Sequence, residues 1–291
     1  MKGTVRSQGA RVLIVPLLLA LGLVVSGCGG GFGSKHPAET TAPITSYVAL
    51  GDGFTAAPYV GGTTEKTCLR SSDNYPAQVA KALGLTSFKD ESCSGASIKS
   101  LTGSSTAADG KTKLSAQVDA VTASTGLVTL SVGIEDTNVL HSMFHVCTAT
   151  PCGTNVLAKP LLSKLTADGS EITDAVRAVQ DKAPNAYIVV VGYPLLMPAT
   201  GLCAALPRIS DDQLTAANAI YQIINGNLRS AAQQVGAAYI DAATLSAGHT
   251  PCDNVPWVHG ATVTGKDLPF YPLAAEQKAV ADAITGQVKI R

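Results

Sequence analysis

The stretch YVALGDGFTA, residues 47–56, decides the fold class predicted for this chain. Its first four residues form a continuous apolar run, which is typical of a short strand buried on both faces of a parallel sheet. A Gly-Asp-Gly turn follows at once, and in such sheets the turns after the strands form the crevice that binds ligands. Many hydrolases carry a nucleophile at this kind of turn, yet the residue at its corner, Gly53, has no side chain.

The chain from Ser46 onward alternates short strand-like runs with helical patterns. The strand-like runs are residues 47–50, 86–89, 127–132, 186–191 and 238–240, and the helical patterns are residues 75–83, 157–182, 211–235 and 273–284. Apolar strands separated by helices predict a parallel sheet covered by helices on both faces. We therefore predict one three-layer α/β/α sandwich with a central parallel sheet over residues 46–288. A break in the 157–182 helix near Gly169 is left open.

The first 27 residues have the pattern of a bacterial export signal. Basic residues precede an apolar run, residues 12–25, that is too short to span a bilayer as a permanent helix. The run ends in Ser-Gly-Cys28, which is similar to a lipobox and predicts lipid modification of Cys28 after removal of residues 1–27. Two or three acyl chains, at ~0.8 kcal/mol per buried methylene, would anchor the chain stably. An ordinary cleaved signal with a chance cysteine is the alternative.

Location and partners follow from the next segment and from the charge. Residues 28–45 are rich in Gly, Thr and Pro and have little to bury, which predicts a flexible tether. We expect a lipid-anchored protein on the extracytoplasmic side of the cell membrane. Lys plus Arg and Asp plus Glu both number 21, so the formal net charge is zero. This balance argues against a nucleic-acid partner, which requires a basic face.

Six cysteines remain when Cys28 is set aside, and an even number in an exported chain predicts disulfides. The sequence alone does not select the pairing, but the order and spacing favour a sequential set. That set is Cys68–Cys93, Cys147–Cys152 and Cys203–Cys252. No CxxC pair with nearby histidines is present, so we expect no metal site and no cofactor.

Three turns should meet at the carboxyl edge of the predicted sheet. They are Gly-Asp-Gly at 51–53, Ser-Cys-Ser-Gly at 92–95 and Gly-Ile-Glu-Asp at 133–136. Each follows a predicted strand, and the carboxyl ends of parallel strands lie together. This inference depends on topology alone.

The three turns resemble sequence blocks of the SGNH (GDSL) hydrolase superfamily, in particular its secreted bacterial esterases and lipases. The segments GYP at 192–194, PCDNVPWVHG at 251–260 and FYPLAAEQ at 270–277 extend the resemblance over residues 46–285. The resemblance implies acyl transfer from an ester. In that chemistry a Ser attacks, a His takes its proton, and an Asp or a backbone carbonyl orients the His. A Ser amide, a Gly amide and an Asn side chain bind the oxyanion.

The match of positions departs from that chemistry. The nucleophile falls on Gly53, the Asn donor on Glu135 and the general base on Tyr271, while the Gly donor is matched by Gly95. Loss of one oxyanion donor costs about 3–4 kcal/mol, and a carboxylate there adds repulsion. A phenol with a pKa of about 10 is a poor base at neutral pH. Removing triad members costs up to about a million-fold in turnover in a serine protease.

The expected Asp, three residues before the base, falls on Leu268, with Asp267 one residue out of register. Relocated nucleophiles would be Thr55 or Ser94. The resemblance implies that His259, beside Trp257, is the first choice of spare histidine, because the Trp-bearing loop lies close to the pocket in related enzymes. His141 and His145 are spaced to share one helix face, but a surface role is favoured for both.

The resemblance therefore implies a pseudoenzyme that binds a lipid, an acylated glycan or a wall component. The alternative is an active SGNH-type carboxylesterase or lipase, or a carboxylate-based hydrolase, with relocated catalytic groups. A structural role with a filled pocket is a third hypothesis. The residues expected to line the pocket are Asp52, Gly53, Thr55, Gly95, Glu135 and Tyr271. Asp52 and Asp136 are expected to shape turns or to form an acidic floor with Glu135, and Tyr271 to hydrogen-bond Glu135.

Overall fold

The structure is a computed structural model that describes residues 43–107, 109–136 and 159–288, with only the backbone described at 159–162. These residues fall within one compact unit, Lys35–Arg291. The predicted signal, Cys28, the Cys147–Cys152 disulfide, His141 and His145 lie outside the described residues. In the ranges that are described, no helix is both long and apolar enough to cross a membrane.

A parallel sheet lies at the centre of the described residues. Along the chain the strands are β1 Ser46–Gly51, β2 Thr63–Glu65, β3 Arg70–Ser71, β4 Ser87–Asp90, β5 Ser105–Thr106, β6 Lys113–Leu114, β7 Leu127–Ser131, β8 Tyr187–Val191 and β9 Ala238–Ile240. Five of them form the central sheet in the order β4-β1-β7-β8-β9, and every neighbouring pair is parallel. The other four form two antiparallel ribbons, β2 with β3 and β5 with β6.

Helices connect the strands of the sheet. They are α1 Gly53–Ala56, α2 Tyr75–Ala82, α3 Ile98–Thr102, α4 Lys159–Lys182, α5 Asp211–Val235, α6 Ala242–Leu245 and α7 Ala274–Gln287, with a 3-10 turn at Gln117–Ala120. The long periodic helices and the buried strands agree with the sequence prediction. The sequence did not predict α1, α3, α6 or the two ribbons, because such short elements carry too few residues for a clear periodicity.

The helix α4 runs unbroken through Gly169, so the alternative of a break there is wrong. The glycine has a packing reason instead. A β-carbon added at Gly169 would lie 2.9 Å from Oδ1 of Asn227 on α5, whose Nδ2 donates to the Leu165 carbonyl at 2.7 Å. The missing side chain therefore permits a close approach of two helices.

Alternate residues of the central strands face two separate cores, as expected for a sheet covered on both sides. Val48 and Leu50 of β1 pack in one core with residues of α4 and α5. Tyr47 and Ala49 pack in the other core with residues of α2 and α7. The predicted three-layer α/β/α sandwich is confirmed.

Two further features fix the limits and the cross-links of the domain. Ile44, which the sequence analysis placed in the tether, is buried in the core on the α2 and α7 side, so the packed part begins before Ser46. The predicted disulfides Cys68–Cys93 and Cys203–Cys252 are both formed.

Candidate functional site

The turn after β1 is held by a side chain from a distant segment. The backbone N–H of Gly51 donates to Gln117 Oε1 at 2.7 Å, and Gln117 Nε2 donates back to the Gly51 carbonyl at 2.9 Å. Gly51 has φ of +150°, and an added β-carbon would lie 2.3 Å from Thr55 Oγ1 and 2.7 Å from the Ser131 carbonyl. No other residue fits at this position without moving the turn.

Asp52 shapes the turn from within and is fully buried. Its Oδ1 accepts from the N–H of Phe54 at 2.9 Å and caps α1, and its Oδ2 accepts from the Tyr193 hydroxyl at 2.6 Å. Burial raises the pKa of the Asp52 carboxyl to about 8, against the hydrogen bond from Tyr193. These contacts favour the turn-shaping role that the sequence suggested over a role as a free acidic group.

The three predicted turns do meet at the carboxyl edge of the sheet. The N–H of Cys93 donates to the Gly51 carbonyl at 3.0 Å, which joins the second turn to the first. The N–H of Ile134 donates to the Tyr193 hydroxyl at 3.1 Å, which joins the third turn to Asp52. Topology alone was therefore sufficient to bring these segments together.

Asp136 links the third turn to the start of α3. Its Oδ2 accepts from the N–H of Ile98 at 2.8 Å, so this carboxylate also has a structural partner. Burial raises the pKa of Asp136 to about 6. Gly95, by contrast, is exposed, has φ of +80°, and has open space where a β-carbon would lie. The Gly95 corner is therefore open to a ligand from outside.

Tyr271 covers the corner at Gly53. A β-carbon added at Gly53 would lie 2.6 Å from Cε1 and 2.7 Å from the hydroxyl oxygen of Tyr271. The Tyr271 ring also stacks on Phe54, with ring centroids 5.4 Å apart and planes at 21°. The ring thus occupies the space into which any side chain at residue 53 would extend.

The predicted contact between Tyr271 and Glu135 is confirmed. The Tyr271 hydroxyl donates to Glu135 Oε1 at 3.1 Å. Burial and the nearby Glu135 raise the pKa of Tyr271 far above that of a free phenol. Burial also raises the pKa of Glu135, against the hydrogen bond from Tyr271. The result is a hydrogen bond that links Tyr271 to the third turn across the crevice.

The sequence of this domain matches a known family. The family model described as GDSL-like Lipase/Acylhydrolase family matches residues 49–272, most of the chain. The chain belongs to this family. The resemblance drawn from the turn segments is confirmed, and the domain is an SGNH-type hydrolase domain.

Named relatives of this GDSL-family chain agree over nearly its whole length. Lipase 1 of Streptomyces coelicolor is 28% identical over 265 residues, which cover 90% of this chain and 91% of the relative. The crystal structure of phospholipase A1 from Streptomyces albidoflavus matches with a TM-score of 0.68 and 25% identity, covering 84% of this chain and 100% of that one. The extracellular lipase of Streptomyces rimosus matches with a TM-score of 0.67, 26% identity and the same coverage.

The segment that carries Tyr271 has a strained backbone, as functional sites of folded proteins often do. Phe270 is fully buried with φ of +64°, a conformation that costs a non-glycine residue roughly 1–2 kcal/mol. Backbone hydrogen bonds hold the segment in place, from His259 N–H to the Tyr271 carbonyl at 3.0 Å and from Leu273 N–H to the Trp257 carbonyl at 2.8 Å. The Trp-bearing loop of this GDSL-family domain therefore positions Tyr271.

Two of the spare groups considered from the sequence, Thr55 and His259, lie beside other partners. Thr55 is fully buried and its hydroxyl contacts the Tyr75 hydroxyl at 3.2 Å. His259 faces Asp267, with Nε2 and Oδ2 3.9 Å apart, which is longer than a hydrogen bond. Within the described ranges no group of three or more His, Cys, Asp or Glu side chains could hold a metal ion.

Sequence reasoning missed three residues that build this GDSL-family site. Gln117 clamps Gly51, Tyr193 bonds Asp52, and Gln277 of α7 accepts from the Tyr75 N–H at 2.7 Å and donates to the Phe54 carbonyl at 3.0 Å. Tyr193 and Gln277 lie in the GYP and FYPLAAEQ segments that carried the resemblance, so a signal was present for them. Gln117 lies in a stretch without any recognisable motif.

Proposed function

We propose that this GDSL-family domain does not cleave esters by the serine route of its family and instead binds a ligand at the cell envelope. The observation that carries the proposal is the position of Tyr271, whose ring occupies the space that the side chain of a nucleophile at residue 53 would need. The ligand classes that we propose are a lipid, an acylated glycan or a wall component.

The chemistry of the corner supports this proposal. Among the described residues, the backbone N–H of the exposed Gly95 has no hydrogen-bond acceptor, so this donor remains available to a ligand. Glu135 stands where the resemblance places a neutral amide donor, and a carboxylate there opposes a developing negative charge. An open donor at Gly95 and a carboxylate at residue 135 therefore support the proposal that the domain binds a ligand and does not drive acyl transfer.

Export and anchoring are part of the same proposal. Residues 1–27 would be removed, Cys28 would carry the lipid, and residues beyond it would hold the domain on the extracytoplasmic side of the membrane. The support is the sequence pattern of basic residues, a short apolar run and Ser-Gly-Cys28. Metabolic labelling with a fatty-acid analogue tests it, because the label should be lost in Cys28→Ala.

An esterase assay tests the loss of hydrolysis. We expect the purified protein to hydrolyse short-chain nitrophenyl esters no faster than a buffer blank and to resist labelling by a serine-reactive phosphonate probe. The Streptomyces rimosus lipase serves as the active control. Turnover comparable to that of this control would rule out the proposal.

A second candidate is a hydrolase with relocated groups. The names of the relatives, lipase and phospholipase A1, favour this alternative over the non-hydrolytic interpretation. The specific arrangement that supports it is the Ser94 hydroxyl beside Tyr271, whose own hydroxyl donates to Glu135. Against it, a phenol with a pKa raised far above its usual value is a very weak base. Turnover that disappears in Ser94→Ala but persists in Thr55→Ala would establish this candidate.

A further inference from the structure

A groove of about 890 Å³ lies beside the ends of β8 and β9, and none of its described lining residues belongs to the Gly53 corner. One wall is a face of α5, and the others are the segments that follow β8 and β9. Its volume falls within the range of roughly 300–1,000 Å³ found for ligand sites. About half of the lining residues are polar, so a matching ligand carries polar groups along its length as well as apolar ones.

Four of the lining residues follow one another along a single face of α5. Asn218, Gln222, Gly226 and Arg229 are separated by four, four and three residues, a spacing that places them in one row. At about 1.5 Å per residue the row is about 17 Å long, and residues four apart lie about 6 Å apart along the helix. Peptide groups that point the same way in an extended chain repeat at about 6.6 Å. The row therefore has the length of about five extended residues and nearly their repeat.

The first two residues of this row keep polar groups for a ligand. Asn218 donates through Nδ2 to the Pro198 carbonyl at 2.8 Å, which leaves its Oδ1 as an acceptor. Gln222 is exposed, and its side-chain amide is not engaged by any described residue. An amide side chain offers both N–H donors and an acceptor oxygen, which complement the C=O and N–H of a peptide group.

The far end of the row also offers both kinds of group. Arg229 donates to Asp241 Oδ2 at 2.5 Å, yet half of its side chain is exposed. A guanidinium has five N–H donors and a carboxylate has about four acceptor sites, so the pair keeps donors and acceptors for a ligand. Because the two charges already offset each other, this end favours a neutral polar group over a lone ion.

Apolar side chains lie across the groove from the row. Leu195 and Met197 line the groove, whereas Leu196 between them packs in the core, which is the alternation of an extended segment. Gly226 has no side chain at the middle of the row, and a β-carbon added there would meet no other atom within 4 Å. The groove therefore has room for the side chains of a bound chain next to an apolar wall.

We propose that this groove binds a short extended peptide of about five residues, with its backbone amides along the α5 row and its side chains against Leu195 and Met197. A glycan also carries donors and acceptors, but the spacing of the row matches the repeat of an extended peptide. The groove is separate from the Gly53 corner, so the inference does not rest on the loss of ester hydrolysis, and the esterase assay leaves it unchanged.

Fluorescence anisotropy of a fluorescein-labelled Ala-Leu-Ala-Leu-Ala amide, titrated with the full chain, tests the proposal. We expect saturable binding to one site, because backbone recognition tolerates many side chains. The same peptide with methyl groups on the nitrogens of its two leucines lacks two N–H donors and should bind at least fivefold more weakly. Equal affinity of the two peptides would contradict recognition of the backbone.

Two variants of α5 locate the peptide in the groove. Gln222→Met keeps the length of the side chain without its amide and should weaken binding at least threefold, whereas Gln233→Met, an exposed glutamine of α5 outside the groove, should change it less than twofold. Gly226→Leu fills the groove and should weaken binding at least tenfold. Its control is Gly286→Leu, an exposed helical glycine with open space on α7.

Three results would overturn the proposal. One is the absence of saturable peptide binding, and another is unchanged binding in both Gln222→Met and Gly226→Leu. The third is tighter binding of a tetramer of N-acetylglucosamine than of the peptide, lost in Gly226→Leu, which would make the groove a glycan site.

Discussion

Gly53 and Tyr271 depend on each other, since the Tyr271 ring fills the space that any side chain at residue 53 needs. The contact is direct, with distances of 2.6 and 2.7 Å from the position of an added β-carbon to the ring and its hydroxyl oxygen. A side chain at residue 53 is therefore tolerated only if Tyr271 moves or is replaced by a smaller residue. The sequence shows both residues but not this exclusion.

We expect Gly53→Ser alone to destabilise the domain by about 1–3 kcal/mol, the usual cost of an overpacked site. In Gly53→Ser with Tyr271→His, the smaller ring should remove most of this cost. Urea unfolding of the two single variants and the double variant measures the coupling, which should exceed about 1 kcal/mol for residues in contact. Strictly additive free energies would show that the two residues do not compete for space.

The buried carboxyls of Asp52 and Glu276 should make the folded state less stable as pH rises. Burial raises the pKa of Asp52 from 3.8, and that of Glu276 from 4.5, to about 8 in each case. Between the unfolded-state pKa values and the folded-state value of about 8, the folded state binds more protons than the unfolded state. The free energy of unfolding therefore decreases as pH rises through this window and stops decreasing above about pH 8. The free energy of unfolding should therefore drop between pH 5 and pH 9.

Glu276→Gln isolates one of these groups, because glutamine stays neutral across the window. The slope of unfolding free energy against pH should be shallower in this variant than in the native chain. Asp211→Asn is the control, since that residue is exposed in the first turn of α5 and should leave the slope unchanged. A native-like slope in Glu276→Gln would contradict the assignment.

At the scale of elements, two helices carry a glycine in their interior, and the surroundings of the two glycines differ. On α4, Gly169 permits the close approach of Asn227. On α5, Gly226 is exposed, and a β-carbon added there would meet no other atom within 4 Å. The helical pattern alone marks both as irregularities, and only the packing of α4 on α5 separates them.

Alanine substitution should distinguish these glycines. Gly226→Ala should raise the free energy of unfolding by roughly 0.5–1 kcal/mol, because alanine has the better helix propensity and open space receives its methyl group. Gly169→Ala should bring no such gain, because the methyl group displaces Asn227 from the Leu165 carbonyl. Thermal or urea unfolding checks both variants. Equal stabilisation by the two would contradict the packing argument.

At the scale of the whole molecule, the parallel sheet brings together turns that are far apart in the chain. Gln117 and Gly51 are 66 residues apart, Glu135 and Tyr271 are 136 apart, and Asp52 and Tyr193 are 141 apart. This scaffold holds the corner rigidly although it presents no nucleophile. An intact scaffold predicts that the serine chemistry of the family can be restored by substitution.

We expect Gly53→Ser with Tyr271→His and Glu135→Asn to hydrolyse short-chain nitrophenyl esters measurably. The substitutions supply a nucleophile, a base and a third donor, and one such donor alone is worth about 10²–10³ in turnover. The matched control is Tyr271→His with Glu135→Asn, which keeps Gly53 and should remain inactive. Equal rates in the triple variant and this control would show that the corner is not arranged for catalysis.

The sequence by itself determined the class of fold, the buried strands and long helices, the turns that meet, two of the disulfides and the contact of Tyr271 with Glu135. These follow from hydrophobic periodicity, turn residues and the order of motifs, which are properties of neighbouring residues along the chain. Only the tertiary structure decided that Tyr271 covers Gly53, that Gln117 hydrogen-bonds the Gly51 turn, and that Gly169 faces Asn227 while Gly226 faces open space. Each of these depends on the distance between atoms of remote segments, which packing sets and no local pattern records.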